Sequence, residues 1–194
     1  MKINATTRLL ATAWQGHFDI QLPQAVEEEI RGIMNKLCVD FPTLAHVYVR
    51  EGDPEIMENT LATKDLKSLI LNAHYFRDPE KMRVHFETWH GLQVEPTLVG
   101  TIIHECGHIL ANQALRNKPR KFNQLLKTHL GDLSSIGNYE SPSPYGQENT
   151  SEFLAEAFTA HYLGHGAADK HPDLELPSMA VCNAIWTDMR KLLK

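Results

Sequence analysis

At 194 residues and 22.0 kDa, with 42% hydrophobic and 22% charged residues, the chain has the composition of one globular domain around one well-filled core. A net charge of -5 argues against a general nucleic-acid binder, and three cysteines without framework spacing, Cys38, Cys106 and Cys182, argue against a disulfide-built fold and for a reducing compartment. The opening stretch to Ile20 holds only a broken apolar run, and nothing later approaches about eighteen apolar residues, so neither a secretory signal nor a membrane span is expected.

Taken in chain order, Gln24 to Cys38 follows Pro23 and places Val26, Ile30, Ile33, Met34 and Leu37 at helical spacing, with Glu27, Glu28 and Glu29 near the start where the helix dipole favours them. His46 to Arg50 alternates and reads as a strand ended by Gly52-Asp53-Pro54. Leu66 to Phe76 contains a second strand centred on Ser68 to Leu71. Asp78 and Pro79 form an N-cap and first helical residue for a helix to about Trp89, with Met82, Phe86 and Trp89 on one side. Pro96 to Leu115 is a helix capped by Thr97, and Pro119 to Leu130 another, closed by Gly131. Gly131 to Gln147 is a Gly/Ser/Pro/Asn-rich loop long enough to suspect a function. A helix capped by Thr150 or Ser151 runs until Gly164, and Ser178 to Leu193 forms a last helix with Met179, Cys182, Ile185, Met189 and Leu192 on its packing stripe. The cations Arg116, Lys118, Arg120, Lys121 and Lys127 read as a solvated helix face.

The Pro96–Leu115 helix carries His104-Glu105-Cys106-Gly107-His108, a His-Glu-x-x-His pattern. Eleven histidines make a chance match conceivable, so the helical wheel matters. Val99, Ile102, Ile103, Cys106 and Leu110 lie on one side; His104 and His108, one turn apart, lie opposite. Two imidazoles at that spacing reach one ion at roughly 2.0–2.1 Å. Gly107 costs roughly 0.5–1 kcal/mol relative to alanine inside a helix, which points to a close approach there.

Zinc held by two histidines needs a third protein ligand and keeps one position open. The helix after the long loop offers Glu152 and Glu156, one turn apart and opposite Leu154, Ala157 and Phe158. Two polar faces pointing away from the core are therefore expected to turn toward each other. His161 and His165 share the Leu154 side with Gly164 between them, and are assigned to packing or surface. His85 and His90 are out of phase; His17, His46, His74, His129 and His171 have no partner at useful spacing.

His104-Glu105-Cys106-Gly107-His108, then Tyr145, then Glu152-Phe153-Leu154-Ala155-Glu156-Ala157-Phe158 resembles the anthrax lethal factor-like zinc metallopeptidases, which include the bacterial Pro-Pro endopeptidases. The tyrosine precedes the first glutamate by seven residues (152 − 145), and 44 residues (152 − 108) separate the second histidine from that glutamate, both as in the family. The likeness covers Leu98 to Leu163, about a third of the chain; Cys106 stands where bulkier residues are common.

What the resemblance implies is a zincin-like α+β fold, mainly helical, with a small mixed sheet beside the active helix: one domain over residues 1–194, with an N-terminal part to about 95 and a helical part from about 96. It further implies Zn²⁺ on His104, His108 and Glu152, Glu105 as general base, Glu156 supporting a ligand histidine, and Tyr145 hydrogen-bonded to the oxyanion, with Tyr139 as its competitor. The expected reaction is endopeptidase cleavage of a protein or peptide substrate, with neither nucleic acid nor membrane as partner. In zincin-like folds an extended peptide pairs with an edge strand, so Leu69, Ile70, Leu71, Asn72, Ala73 and His74 are nominated as the ledge. The alternative is a non-proteolytic zinc-binding component of a phage particle or secretion apparatus. A soluble chain without a signal is expected in the cytoplasm or delivered by a non-classical route.

Overall fold

The computed structural model describes residues 13–57, 62–88, 90, 92–131, 143–166 and 179–194. Among them, strands β1 (Phe18–Asp19), β2 (Tyr48–Glu51), β3 (Ala62–Lys64) and β4 (Ser68–Leu71) form one sheet of order β1-β2-β4-β3. The helices are α1 (Gln24–Asp40), α2 (Ala73–Phe76), α3 (Pro79–Thr88), α4 (Leu98–Asn117), α5 (Pro119–Leu130), α6 (Thr150–Leu163) and α7 (Met179–Leu192). The protein is thus mainly helical with a small mixed sheet, an α+β arrangement. No helix among the described residues is long and apolar enough to cross a membrane.

Local chemistry sets most boundaries. Thr97 accepts a hydrogen bond from Gly100 N at the start of α4, and Asp78 accepts from Glu80 N and Lys81 N at the start of α3. Gly131 and Gly164, both at positive φ, end α5 and α6. At α6 the cap is Asn149, whose side chain accepts from Glu152 N at 3.0 Å; Thr150 and Ser151, expected as caps, are the first helical residues. All three cysteines are free and buried.

One apolar cluster runs from Trp14 to Met189 and joins the sheet to α1, α4, α6 and α7. On α7 the buried residues are Cys182, Ile185, Met189 and Trp186, the last lying beside the expected stripe and donating its indole N–H to Leu154 O. Residues on both sides of α4 are buried, including His104, Glu105 and His108, and α6 is buried from Phe153 to Ala160. The polar faces of these helices therefore do not look outward: α4 and α6 pack on each other. Gly107 is the reason they can approach so closely, since a Cβ there would stand 3.0 Å from Phe158 Cβ and 3.1 Å from Ala155 Cα.

The sheet corrects the nominated peptide ledge. β4 is an interior strand, parallel to β2 (Tyr48↔Ser68 to Glu51↔Leu71) and antiparallel to β3 (Ala62↔Leu71 to Lys64↔Leu69). Leu69, Ile70 and Leu71 thus have partners on both sides and no ladder to offer a guest strand. Asn72 caps α2, accepting from His74 N, and Ala73 and His74 belong to that helix. The outer strand beside α4 is β3, which sequence reading passed over. Asp65 makes the hairpin: its carboxylate accepts from Lys67 N and Ser68 N, each at 2.8 Å, and turns β3 back into β4. Residues 132–142, with Tyr139, and Trp89 lie outside the described residues.

Candidate metal centre

The packing of α4 on α6 brings His104, His108 and Glu152 together, with one donor atom from each all within 4.8 Å of one another. His104 Nε2 stands 3.1 Å and His108 Nε2 3.3 Å from the same oxygen, Glu152 Oε2. The two rings are steeply inclined, 83° at 4.8 Å between centroids, so their Nε2 atoms converge while their outer nitrogens diverge.

Those outer nitrogens are held. His104 Nδ1 lies 2.7 Å from Glu156 Oε1, and His108 Nδ1 lies 3.0 Å from Ser151 Oγ. Glu156, 1% exposed, also accepts through Oε2 from Val94 N at 2.7 Å and from the Ser143 hydroxyl at 2.6 Å. With Oε2 taking both firm donors, Oε1 is left as an acceptor facing His104, and the hydrogen bond there assigns the ring proton to Nδ1. A neutral His104 then presents its Nε2 lone pair to the Glu152 carboxylate, acceptor against acceptor. Only a positive charge between them, a proton or a metal cation, makes that contact favourable.

Electrostatics reflect the same conflict. Burial alone would lower the His104 pKa, but hydrogen bonds to Glu152 and Glu156, with the Glu105 charge nearby, push it up to about 10. Burial would raise the Glu152 carboxyl, yet its bonds to His104 and His108 hold it well below the usual carboxylate range. A cation would serve as well: a tetrahedral ion with bonds of about 2.0–2.1 Å has ligand–ligand edges of about 3.3–3.4 Å, close to the 3.1 and 3.3 Å of the two edges that meet at Glu152 Oε2, and all three donor atoms lie within 4.8 Å of one another. His104, His108 and Glu152 can bind a metal ion.

Glu105 is buried beside the trio, and its charge is felt at both His104 and Tyr145. Tyr145 opens a 3₁₀ turn, Tyr145–Gln147, tied down by Tyr145 N to Leu92 O at 2.9 Å and by Gly146 N to Ser143 Oγ at 3.1 Å. Its ring centroid is 5.8 Å from that of His104. Burial and then the charges of Glu152, Glu148 and Glu105 hold its hydroxyl well above the usual phenol pKa, so it stays a proton donor.

His104, His108, Glu152 and Glu156 are brought together, with Glu105 one residue from His104 on α4 and the Tyr145 ring beside His104, while Leu69 to His74 are not offered as an edge. His161 pairs with Asn183 at 2.7 Å and His165 with Glu95 at 3.3 Å, and neither histidine belongs to the trio. Sequence reading missed Ser143 and Ser151. Ser151 immediately precedes Glu152 on α6 and could have been found by asking which hydroxyl stands beside the expected glutamate; Ser143 carries no signal of its own.

Comparison of the chain with protein-family models, curated proteins and solved structures returned no match.

Proposed function

We propose that the protein is a zinc-dependent endopeptidase with a zincin-like arrangement. The observation that carries this reading is the convergence of two imidazole Nε2 atoms and one carboxylate oxygen, with a buried Glu105 on the ligand helix and a Tyr145 hydroxyl nearby. Two imidazoles and a carboxylate are a donor set that suits zinc, and three protein ligands leave a position for substrate or water. When bound, zinc supplies Lewis acidity that polarises a peptide carbonyl and acidifies water.

The chain's own groups do the rest. Glu105 takes the proton of the attacking water and passes it to the leaving amine nitrogen. Tyr145 donates its hydroxyl hydrogen to the oxygen on which negative charge develops, a contact of the kind that contributes up to about 3–4 kcal/mol. Glu156 holds the outer nitrogen of His104 so that its Nε2 lone pair faces inward, and Ser151 steadies the His108 ring through Nδ1. The outer edge of β3, Ala62–Lys64, replaces β4 as the ledge for an extended substrate.

The test is cleavage of a peptide library by zinc-loaded protein and by its Glu105→Gln form. The expected outcome is equal zinc content with a loss of at least about a hundredfold in turnover. Equal turnover would remove Glu105 as the base, and zinc uptake without any cleavage would favour the non-proteolytic alternative.

A further inference from the structure

Where α4 ends, the surface sinks into a groove of about 580 Å³. It is lined by His46 and Val47 just before β2, Leu66 and Lys67 just before β4, and Gln113 and Arg116 in the last turns of α4. α4 therefore ends where β2 and β4 begin. β3, antiparallel to β4 and packed beside α4, runs in the same sense as α4 and ends at Lys64, next to the groove. An extended chain lying along β3 and continuing past Lys64 is led into it.

The groove's charge is unlike that of the chain as a whole. In a protein of net charge -5 its lining holds the cations Arg116 and Lys67 and no carboxylate. Neither Lys67 nor Arg116 has a carboxylate partner among the described residues. Asp65, in the adjoining turn, is engaged by Lys67 N, Ser68 N and Arg50. Arg120 and Lys121, exposed at the start of α5, extend the positive character of this end of the molecule. Gln113 adds an unmet need: its Oε1 is buried without a hydrogen-bond partner, and a guest backbone N–H would satisfy it once the carboxamide turned outward.

We propose, resting on the endopeptidase reading, that this groove is a subsite selecting acidic residues in the extended segment of a peptide substrate. Gln113 and Arg116 lie five and eight residues beyond His108, about 7.5 and 12 Å along the helix at 1.5 Å per residue. At about 3.3 Å per extended residue, the selected side chains stand about two to four residues from the scissile bond.

Two measurements test this. Cleavage products of a random peptide library treated with the zinc-loaded full chain are expected to show Asp and Glu enriched about fivefold over Asn and Gln at those positions. The Lys67→Glu/Arg116→Glu protein should lose that enrichment and turn to Lys and Arg, whereas Lys67→Arg/Arg116→Lys should keep it; an unchanged profile after charge reversal overturns the proposal. Independently of turnover, a fluorescein-labelled decapeptide with three glutamates should bind Glu105→Gln protein about tenfold more tightly than its glutamine counterpart in low salt, the gap closing as salt rises. Equal affinities overturn the proposal, as does equally tight binding of an oligonucleotide of the same charge, which would mark a general polyanion patch. Binding preference without cleavage would count against the peptidase reading alone, and cleavage without acidic preference against the groove alone.

Discussion

Replacing Glu156 with glutamine alters the support of the histidine pair with almost no change of shape. In the wild type Oε2 takes two donors, Val94 N–H and the Ser143 hydroxyl, while Oε1 takes the His104 Nδ1 proton. A glutamine keeps its one carbonyl oxygen where two donors need it, which turns the NH₂ group toward His104. Facing a donor, Nδ1 must become an acceptor, so the ring proton moves to Nε2, the atom that faces Glu152. His104 then has no lone pair to give an ion. Losses of such supporting partners cost about 10–100-fold in metal affinity, which is about 1.4–2.7 kcal/mol. If the amide settles the other way, the buried Val94 N–H loses its acceptor and stability falls instead, by about 1–3 kcal/mol. Competition for zinc with a chromophoric chelator at pH 7.5, together with melting in excess chelator, reads both outcomes. Zinc affinity within about twofold of wild type and an unchanged Tm would refute the assigned hydrogen-bond directions.

Three further outcomes are expected. Gly107→Ala removes a helix glycine, which by propensity alone would stabilise by about 0.5–1 kcal/mol; because the new Cβ meets Phe158 and Ala155, the Tm should fall, corresponding to about 1–3 kcal/mol, and a raised Tm would contradict the close packing of α4 on α6. In chelator-treated protein, His104 titrates near 10 rather than 6.5, so its contribution to stability is full below about pH 6.5 and is lost as pH rises through 10. At pH 7.5 zinc must then displace about one proton, and calorimetry in buffers of different ionisation enthalpy should find it; release of none would contradict the raised pKa. Tyr145→Phe should keep zinc affinity and KM but lose about 10²-fold or more in kcat, and unchanged kcat would remove Tyr145 from the reacting centre.

Much of the site was legible because helices encode their faces at short range. The spacing of His104 and His108, and of Glu152 and Glu156, defines two side-chain pairs whatever surrounds them, and Thr97, Asp78, Gly131 and Gly164 mark ends through their own backbone chemistry. Gly107 announced a close approach without naming its partner, which is Phe158. Strand order was not legible in this way. β3 is three residues, Ala62-Thr63-Lys64, too short to show a period, and its register exists only through pairing with β4. Reading β4 as an edge followed from not seeing β3.

The sequence by itself determined the His104/His108 and Glu152/Glu156 pairs, the caps and the separation of apolar from polar helix faces, since each depends on residues within a few positions of one another. Tertiary structure alone decided that the polar faces of α4 and α6 are buried against each other, that Glu152 meets both Nε2 atoms while Glu156 holds an Nδ1, and that Ser143 and Ser151 complete the support. These depend on where two helices cross, and the crossing is set by side chains far apart in the chain, Gly107 on one helix and Ala155 and Phe158 on the other.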